Sequence, residues 1–152
     1  MILSFPDGRP FATSWQTDVY YEPTSEEDKS RLILRVAIED IVTEAMVDTG
    51  GLYLFCTPRV ARQLDLDESA SLGAQTLIFR GDRVQGALHR LTLTIFAEEG
   101  EDVVIETTAF VPDAHYENVP ELPSILGLQG CLDRLRFAFD PLTDIFYFGP
   151  VS

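Results

Sequence analysis

Positive charge is what this sequence has least of. Lys and Arg total 11 against 25 Asp and Glu, a formal net charge of −14 at pH 7. Binding along a phosphate backbone needs clustered cations, so the balance argues against nucleic acid as a partner. It argues equally against an anionic membrane surface. Histidine and cysteine are also scarce, at two each. Cys56 and Cys131 stand far apart, show no metal-ligand spacing, and are too few for a disulfide framework. They read as reduced, buried, small apolar residues. His89 and His115 are isolated, which fits surface or satisfied core positions better than a metal site. Neither metal nor cofactor is expected. No apolar run approaches a membrane span. Met1–Phe5 is too short for a signal-peptide core, and Pro6-Asp7-Gly8 interrupts it. These absences lead to the expectation of a soluble cytoplasmic protein.

What is present is apolar surface and strand pattern. Of 152 residues, 45% are hydrophobic, with ten Phe and five Tyr, enough for one domain with a sizeable core. Residues 1–30 read as an N-terminal extension, with short strands possible at Ile2–Phe5 and Val19–Tyr21 and a solvated loop over Glu22–Ser30. The remainder, 31–152, reads as the main domain. Leu32, Leu34, Val36 and Ile38 alternate with Ile33, Arg35 and Ala37, the period-two signature of a strand. Glu39-Asp40 is a tight connection, and Ile41–Val47 returns as the second arm of a hairpin. Further strands are predicted at 52–56, 76–80, 84–96, 103–111, 124–127, 135–139 and 145–148. Thr57-Pro58 predicts a helix start, the Thr capping and the Pro fitting the first turn. One or two helical turns are predicted over 128–133. Short strands separated by turn residues indicate an all-β sandwich or barrel.

The most informative residues are Met46-Val47-Asp48-Thr49-Gly50-Gly51. An ionisable carboxylate follows directly on an apolar strand, where burial is costly without compensation. The two glycines after Thr49 leave room for another backbone or a ligand. Thr49 adds a hydroxyl that both donates and accepts. Two carboxylates held together share one proton, so the charged one activates a water while the protonated one polarises a carbonyl. The simpler reading is that Asp48 opens a turn in which Gly50 and Gly51 supply positive φ.

Far downstream stands Ile125-Leu126-Gly127. The order of segments resembles the retroviral-type (retropepsin-like) aspartic peptidases, including their bacterial relatives. In that family a strand enters Asp-Thr-Gly, a strand and a flap hairpin follow, and an apolar-apolar-Gly segment precedes a short helix. The resemblance spans roughly residues 31–149 and implies an acid-protease-type closed β-barrel with one or two short helices. It implies an aspartic endopeptidase acting on a peptide or protein substrate as a homodimer, with Asp48 the catalytic carboxylate. Thr49 would make a cross-subunit hydroxyl contact, and Gly50 would lie against substrate. Gly127, with Ile125 and Leu126, would support the active-site loop. The flap would be the hairpin around Phe79, Arg80, Gly81, Asp82 and Arg83, a lid that excludes water. Gly51 stands where the family carries Ala or Ser, and the flap region carries charges where a retroviral flap is Gly-rich. A catalytically silent module of the same fold, binding peptides or mediating dimerisation, is therefore the alternative. The strands Ile145–Phe148 and Ile2–Phe5 are the candidates for the dimer interface. Arg80-Gly81-Asp82, which spells an integrin-recognition tripeptide, and the acidic run Glu98–Asp102 are both better explained as turns.

Overall fold

The computed structural model describes residues 4–15, 31–79, 81–113 and 123–151. These contain ten strands: β1 (Ala12–Trp15), β2 (Ile33–Ile38), β3 (Ile41–Val47), β4 (Leu54–Phe55), β5 (Gly73–Phe79), β6 (Asp82–Ile95), β7 (Val103–Pro112), β8 (Ser124–Leu126), β9 (Leu135–Asp140) and β10 (Ile145–Pro150). One helix, α1 (Pro58–Leu64), and two 3-10 turns, Glu68–Ala70 and Leu132–Arg134, complete the set. No helix among the described residues is long and apolar enough to cross a membrane.

The predicted hairpin forms, with Leu34 opposite Ala45 and Ile38 opposite Ile41. Its alternation is less clean than expected, because Ile33 and Ala37 are buried along with Leu34, Val36 and Ile38. Only Arg35 of β2 is exposed, its guanidinium 5.4 Å from the centre of the Phe96 ring. The other edge of β2 pairs with the far end of β6, Val36 opposite Ile95 and Ile38 opposite Leu93. Six strands in the order β2-β3-β8-β4-β7-β6 thus close on themselves. Closure leaves no free edge within the barrel.

β6 is 14 residues long because it serves two structures. Its second half buries Leu91, Leu93 and Ile95 in the main core with Leu34, Val36, Ile38 and Leu126. Each fully buried side chain of this size contributes about 1.5–3 kcal/mol of transfer free energy. Its first half pairs with β5, Phe79 opposite Asp82, in a hairpin that extends past the barrel. There the buried parity switches to Val84, which joins Phe55, Phe110 and Ile125 in a second, smaller cluster. β5 and β6 start earlier and run longer than the sequence pattern indicated.

A three-stranded sheet, β1-β10-β9, packs Phe146 and Phe148 into the main core. β1 lies inside the segment expected to be an extension, yet Ala12 pairs with Phe148 and Trp15 with Ile145. Its Ala-Thr-Ser-Trp sequence shows no alternation, so nothing local marks it as a strand. Ser4 makes only an isolated bridge to Pro10. Residues 1–3, and the expected strand at Val19–Tyr21, lie outside the described residues. β10 is flanked on both edges by β1 and β9, so it has no edge to offer a second chain.

Three further local expectations change. The strand expected over 52–56 shrinks to Leu54–Phe55, because Tyr53 takes a left-handed φ of 61°. The helix expected over 128–133 is a single 3-10 turn, and Cys131 before it is non-helical. α1 begins at Pro58 as expected, but the Thr57 side chain does not cap it. The Thr57 amide instead receives its partner from Ser124, whose Oγ accepts at 3.2 Å. With seven residues α1 is too short to persist alone and is held by packing, with Val60 buried in the core. Both cysteines are free and buried, and burial pushes each thiol up to about 12.

Candidate active site

The loop carrying Asp48 is positioned by an insertion. β3 and β4 are joined by residues 48–53, yet they are not neighbours, since β8 lies between them. β8 runs parallel to β3, with Val47 opposite Leu126, and antiparallel to β4, with Leu54 opposite Leu126. The loop must therefore pass over the end of β8, and Gly127 is the residue it passes over. The Gly127 amide donates to the Tyr53 carbonyl at 2.7 Å, and the Leu128 amide to the Gly51 carbonyl at 2.9 Å. A Cβ on Gly127 would fall 2.3 Å from the Tyr53 carbonyl oxygen and 2.9 Å from the Gly51 carbonyl carbon. Only glycine lets these two backbones approach so closely.

Asp48 is held from both ends. Its amide donates to the Leu126 carbonyl at 3.0 Å, the last bond of the β3–β8 ladder. Its carbonyl accepts from the Gly51 amide at 3.1 Å, and its Oδ1 accepts from the Gly50 amide at 3.0 Å. Asp48 does open a turn, but neither Gly50 nor Gly51 is among the residues with positive φ. Backbone conformation therefore does not require glycine at either position, and a Cβ would make only ordinary contacts, 3.4 Å from the Asp48 Oδ1 at Gly50 and 3.4 Å from the Asp48 carbonyl at Gly51. The carboxylate is exposed, and so is Thr49, whose hydroxyl makes no hydrogen bond within the described residues.

Asp48, Gly50 and Gly51 open onto a cavity of about 720 Å³. That is ample for a ligand or a peptide segment. One wall is apolar: Met46, Phe55, Leu77, Phe79 and Ile125. The roof is β5, whose residues Gln75–Phe79 all border the space. The hairpin is held down by Phe79 stacked on Phe55, ring centres 4.8 Å apart, and Phe55 stacks in turn on Phe110 at 5.6 Å. Asp48 is the only carboxylate among the described residues lining this cavity, and Arg31 is its one cation.

The residues singled out in the sequence divide here. Asp48, Gly50, Gly51, Phe79 and Ile125 line one cavity. Leu126 is fully buried in the main core, and Gly127 lies under the loop. Gly81 forms the hairpin tip with φ of 84°, the left-handed geometry that a two-residue turn demands. Asp82 and Arg83 are exposed next to the tip and do not line the cavity, and Arg80 and His115 lie outside the described residues. Sequence reading missed Tyr53, Gln75 and Arg31. Tyr53 is held left-handed at a position where a non-glycine residue pays for the conformation, and its hydroxyl accepts a long 3.4 Å bond from the Gln75 amide. Its strand-like neighbours hid it. Arg31 carried no signal beyond its place at the start of the first hairpin.

No protein-family model and no curated protein matches this chain. A solved structure does: a retropepsin-like aspartic protease from Rickettsia conorii, 18% identical, with a TM-score of 0.52 over 78% of this chain and 81% of that one. The fold is retropepsin-like. On this retropepsin-like barrel the Asp-Thr-Gly loop, the apolar-apolar-Gly strand beneath it and the hairpin above it occupy one end of the molecule. Among the described residues no three His, Cys, Asp or Glu side chains gather as metal ligands.

Proposed function

We propose that the protein is an aspartic endopeptidase whose active site is completed by a second copy of the chain. The observation that carries this reading is the exposed carboxylate of Asp48 at the head of a cleft that holds no other carboxylate among the described residues. A carboxylate-based hydrolysis of a peptide bond uses two carboxylates sharing a proton, one as base and one as acid. On this fold the partner is Asp48 of an identical chain across a two-fold axis, where one patch meets itself. One carboxylate takes a proton from the attacking water, and the other gives its proton toward the carbonyl oxygen. The exposed Thr49 hydroxyl is available for a bond to the opposite loop. Substrate lies extended beneath β5, paired through its backbone. The wall of Met46, Phe55, Leu77, Phe79 and Ile125 favours large apolar side chains. The two reduced thiols fit work in the reducing cytoplasm.

The test is Asp48→Asn. Wild-type protein is expected to cleave a peptide library between about pH 4 and 6, the range in which a shared proton is held. The variant is expected to cleave nothing while its melting temperature stays unchanged. Wild-type protein that cleaves nothing at any pH, but still binds the library, would leave the non-catalytic module standing in place of the enzyme.

A further inference from the structure

Two contacts tie the roof of the cleft to the segment that carries Asp48. Gln75, Leu77 and Phe79 alternate along the half-buried face of β5. Tyr53 and Phe55, two residues apart, meet this row. Phe79 stacks on Phe55, and the Gln75 side-chain amide donates to the Tyr53 hydroxyl at 3.4 Å. The second contact lies at the root of the hairpin. Gln75 is paired with Gly86, the residue of β6 nearest the tip that still pairs with β7, opposite Pro112. A Cβ on Gly86 would fall 2.3 Å from the Val111 carbonyl oxygen, so the root is seated directly on β7. Closer to the tip, β6 has only β5 as its strand partner.

Tyr53 is held by its backbone and by its ring. Its amide donates to the Gln129 carbonyl at 3.1 Å, and its carbonyl accepts from the Gly127 amide at 2.7 Å. The ring packs against the cluster of Phe55, Val84, Phe110 and Ile125. Its φ of 61° is left-handed, a conformation that a non-glycine residue keeps only where its surroundings fix it. Gly50 and Gly51, in the same loop, do not take it. Glycine at position 53 would relax the backbone there but would carry no hydroxyl. Tyr53 does not itself line the cleft, whereas Gln75 does. We propose that Tyr53 is a positioning residue: its hydroxyl holds Gln75, and with it the root of the β5–β6 hairpin, and so sets the height of the roof over Asp48. The proposal rests on the reading of this cleft as a peptide site. At 3.4 Å the bond is longer than the usual range of about 2.7–3.2 Å. A peptide clamped between β5 and the Asp48 loop draws the roof down and shortens it. By linkage, the bond strengthens peptide binding by the factor with which the peptide strengthens the bond.

The experiment uses full-length Asp48→Asn protein, so that peptide binds without being cleaved, with and without Tyr53→Phe and Gln75→Ala. The probe is an acetylated peptide with two central Phe residues, matched to the apolar wall. Tyr53→Phe keeps the ring and loses only the hydroxyl. It is expected to weaken binding about two- to tenfold, as for one neutral hydrogen bond, while the melting temperature holds. In Gln75→Ala protein the same substitution is expected to change the affinity no further, since the partner is gone. Amide exchange without peptide gives a readout that needs no ligand. Amides of β5 are expected to exchange faster in Tyr53→Phe, while those of β2 keep their rates. Unchanged β5 exchange overturns the proposal, whatever binds. So does a peptide affinity that Tyr53→Phe leaves unchanged, or that it lowers equally in both backgrounds. A probe that binds none of the proteins, with β5 exchange accelerated as expected, counts against the peptide reading of the cleft and leaves the tie between Tyr53 and the roof standing.

Discussion

Gly51 and Gly127 touch each other across the Asp48 loop but answer to different constraints. A Cβ on Gly51 would meet the Asp48 carbonyl at 3.4 Å and the Gly127 Cα at 3.6 Å, ordinary contact distances. Its φ is not left-handed either. Gly51→Ala is therefore expected to stabilise the fold by about 0.4–1 kcal/mol by restricting the unfolded chain. Gly127→Ala forces its methyl onto a backbone carbonyl and is expected to cost about 1–3 kcal/mol. Urea titration of the two variants checks both signs. His89 supplies a pH test. Its folded-state pKa lies below the ordinary 6.5, so the unfolded chain takes up that proton first. Its contribution to stability is complete above 6.5 and is lost as the pH falls from there through the lower folded-state value. The fall in urea midpoint between neutral and mildly acidic pH is expected to shrink in His89→Gln, and an unchanged fall would remove His89 as its source.

The β5–β6 hairpin is the element whose behaviour matters most. It packs on its own cluster of Phe55, Val84, Phe110 and Ile125 rather than on the main core. Its anchoring contact is the stack of Phe79 on Phe55. Phe79→Ala removes that stack and is expected to loosen the hairpin, at a cost of about 1–2 kcal/mol for a half-buried ring. Hydrogen exchange is the measurement. Amides of β5 are expected to exchange faster, while those of β2, closed into the barrel on both edges, keep their rates. Uniform acceleration in both strands would mean that the hairpin and barrel unfold as one unit.

At the scale of the molecule, charge opposes association. Two chains of −14 repel at neutral pH, and the repulsion is screened by salt, the Debye length falling from about 30 Å at 0.01 M to about 3 Å at 1 M. The proposed pairing through the Asp48 face is expected to tighten as salt rises, read by sedimentation equilibrium. A monomer at every salt and protein concentration would refute it. The pairing does not proceed by strand addition at β10, which is enclosed by β1 and β9.

Periodicity and turn residues carried most of the architecture. The β2–β3 hairpin, the long β6 and β7, and the Asp-Thr-Gly strand end were legible because alternation and glycine act over a few residues and need no distant partner. The strand β1 was not, since Ala-Thr-Ser-Trp becomes extended only by bonding to β10, more than a hundred residues away. Nor was the short β4, where Tyr53 breaks the strand because the loop must cross Gly127. The sequence by itself determined the carboxylate, the space around it and the small residue under it. Tertiary structure alone decided that the Asp48 loop crosses directly over Gly127, which leaves no space there for a Cβ, and that β5 roofs the cleft. Those outcomes depend on which backbones meet, and such meetings are made by long-range strand pairing that no local pattern encodes.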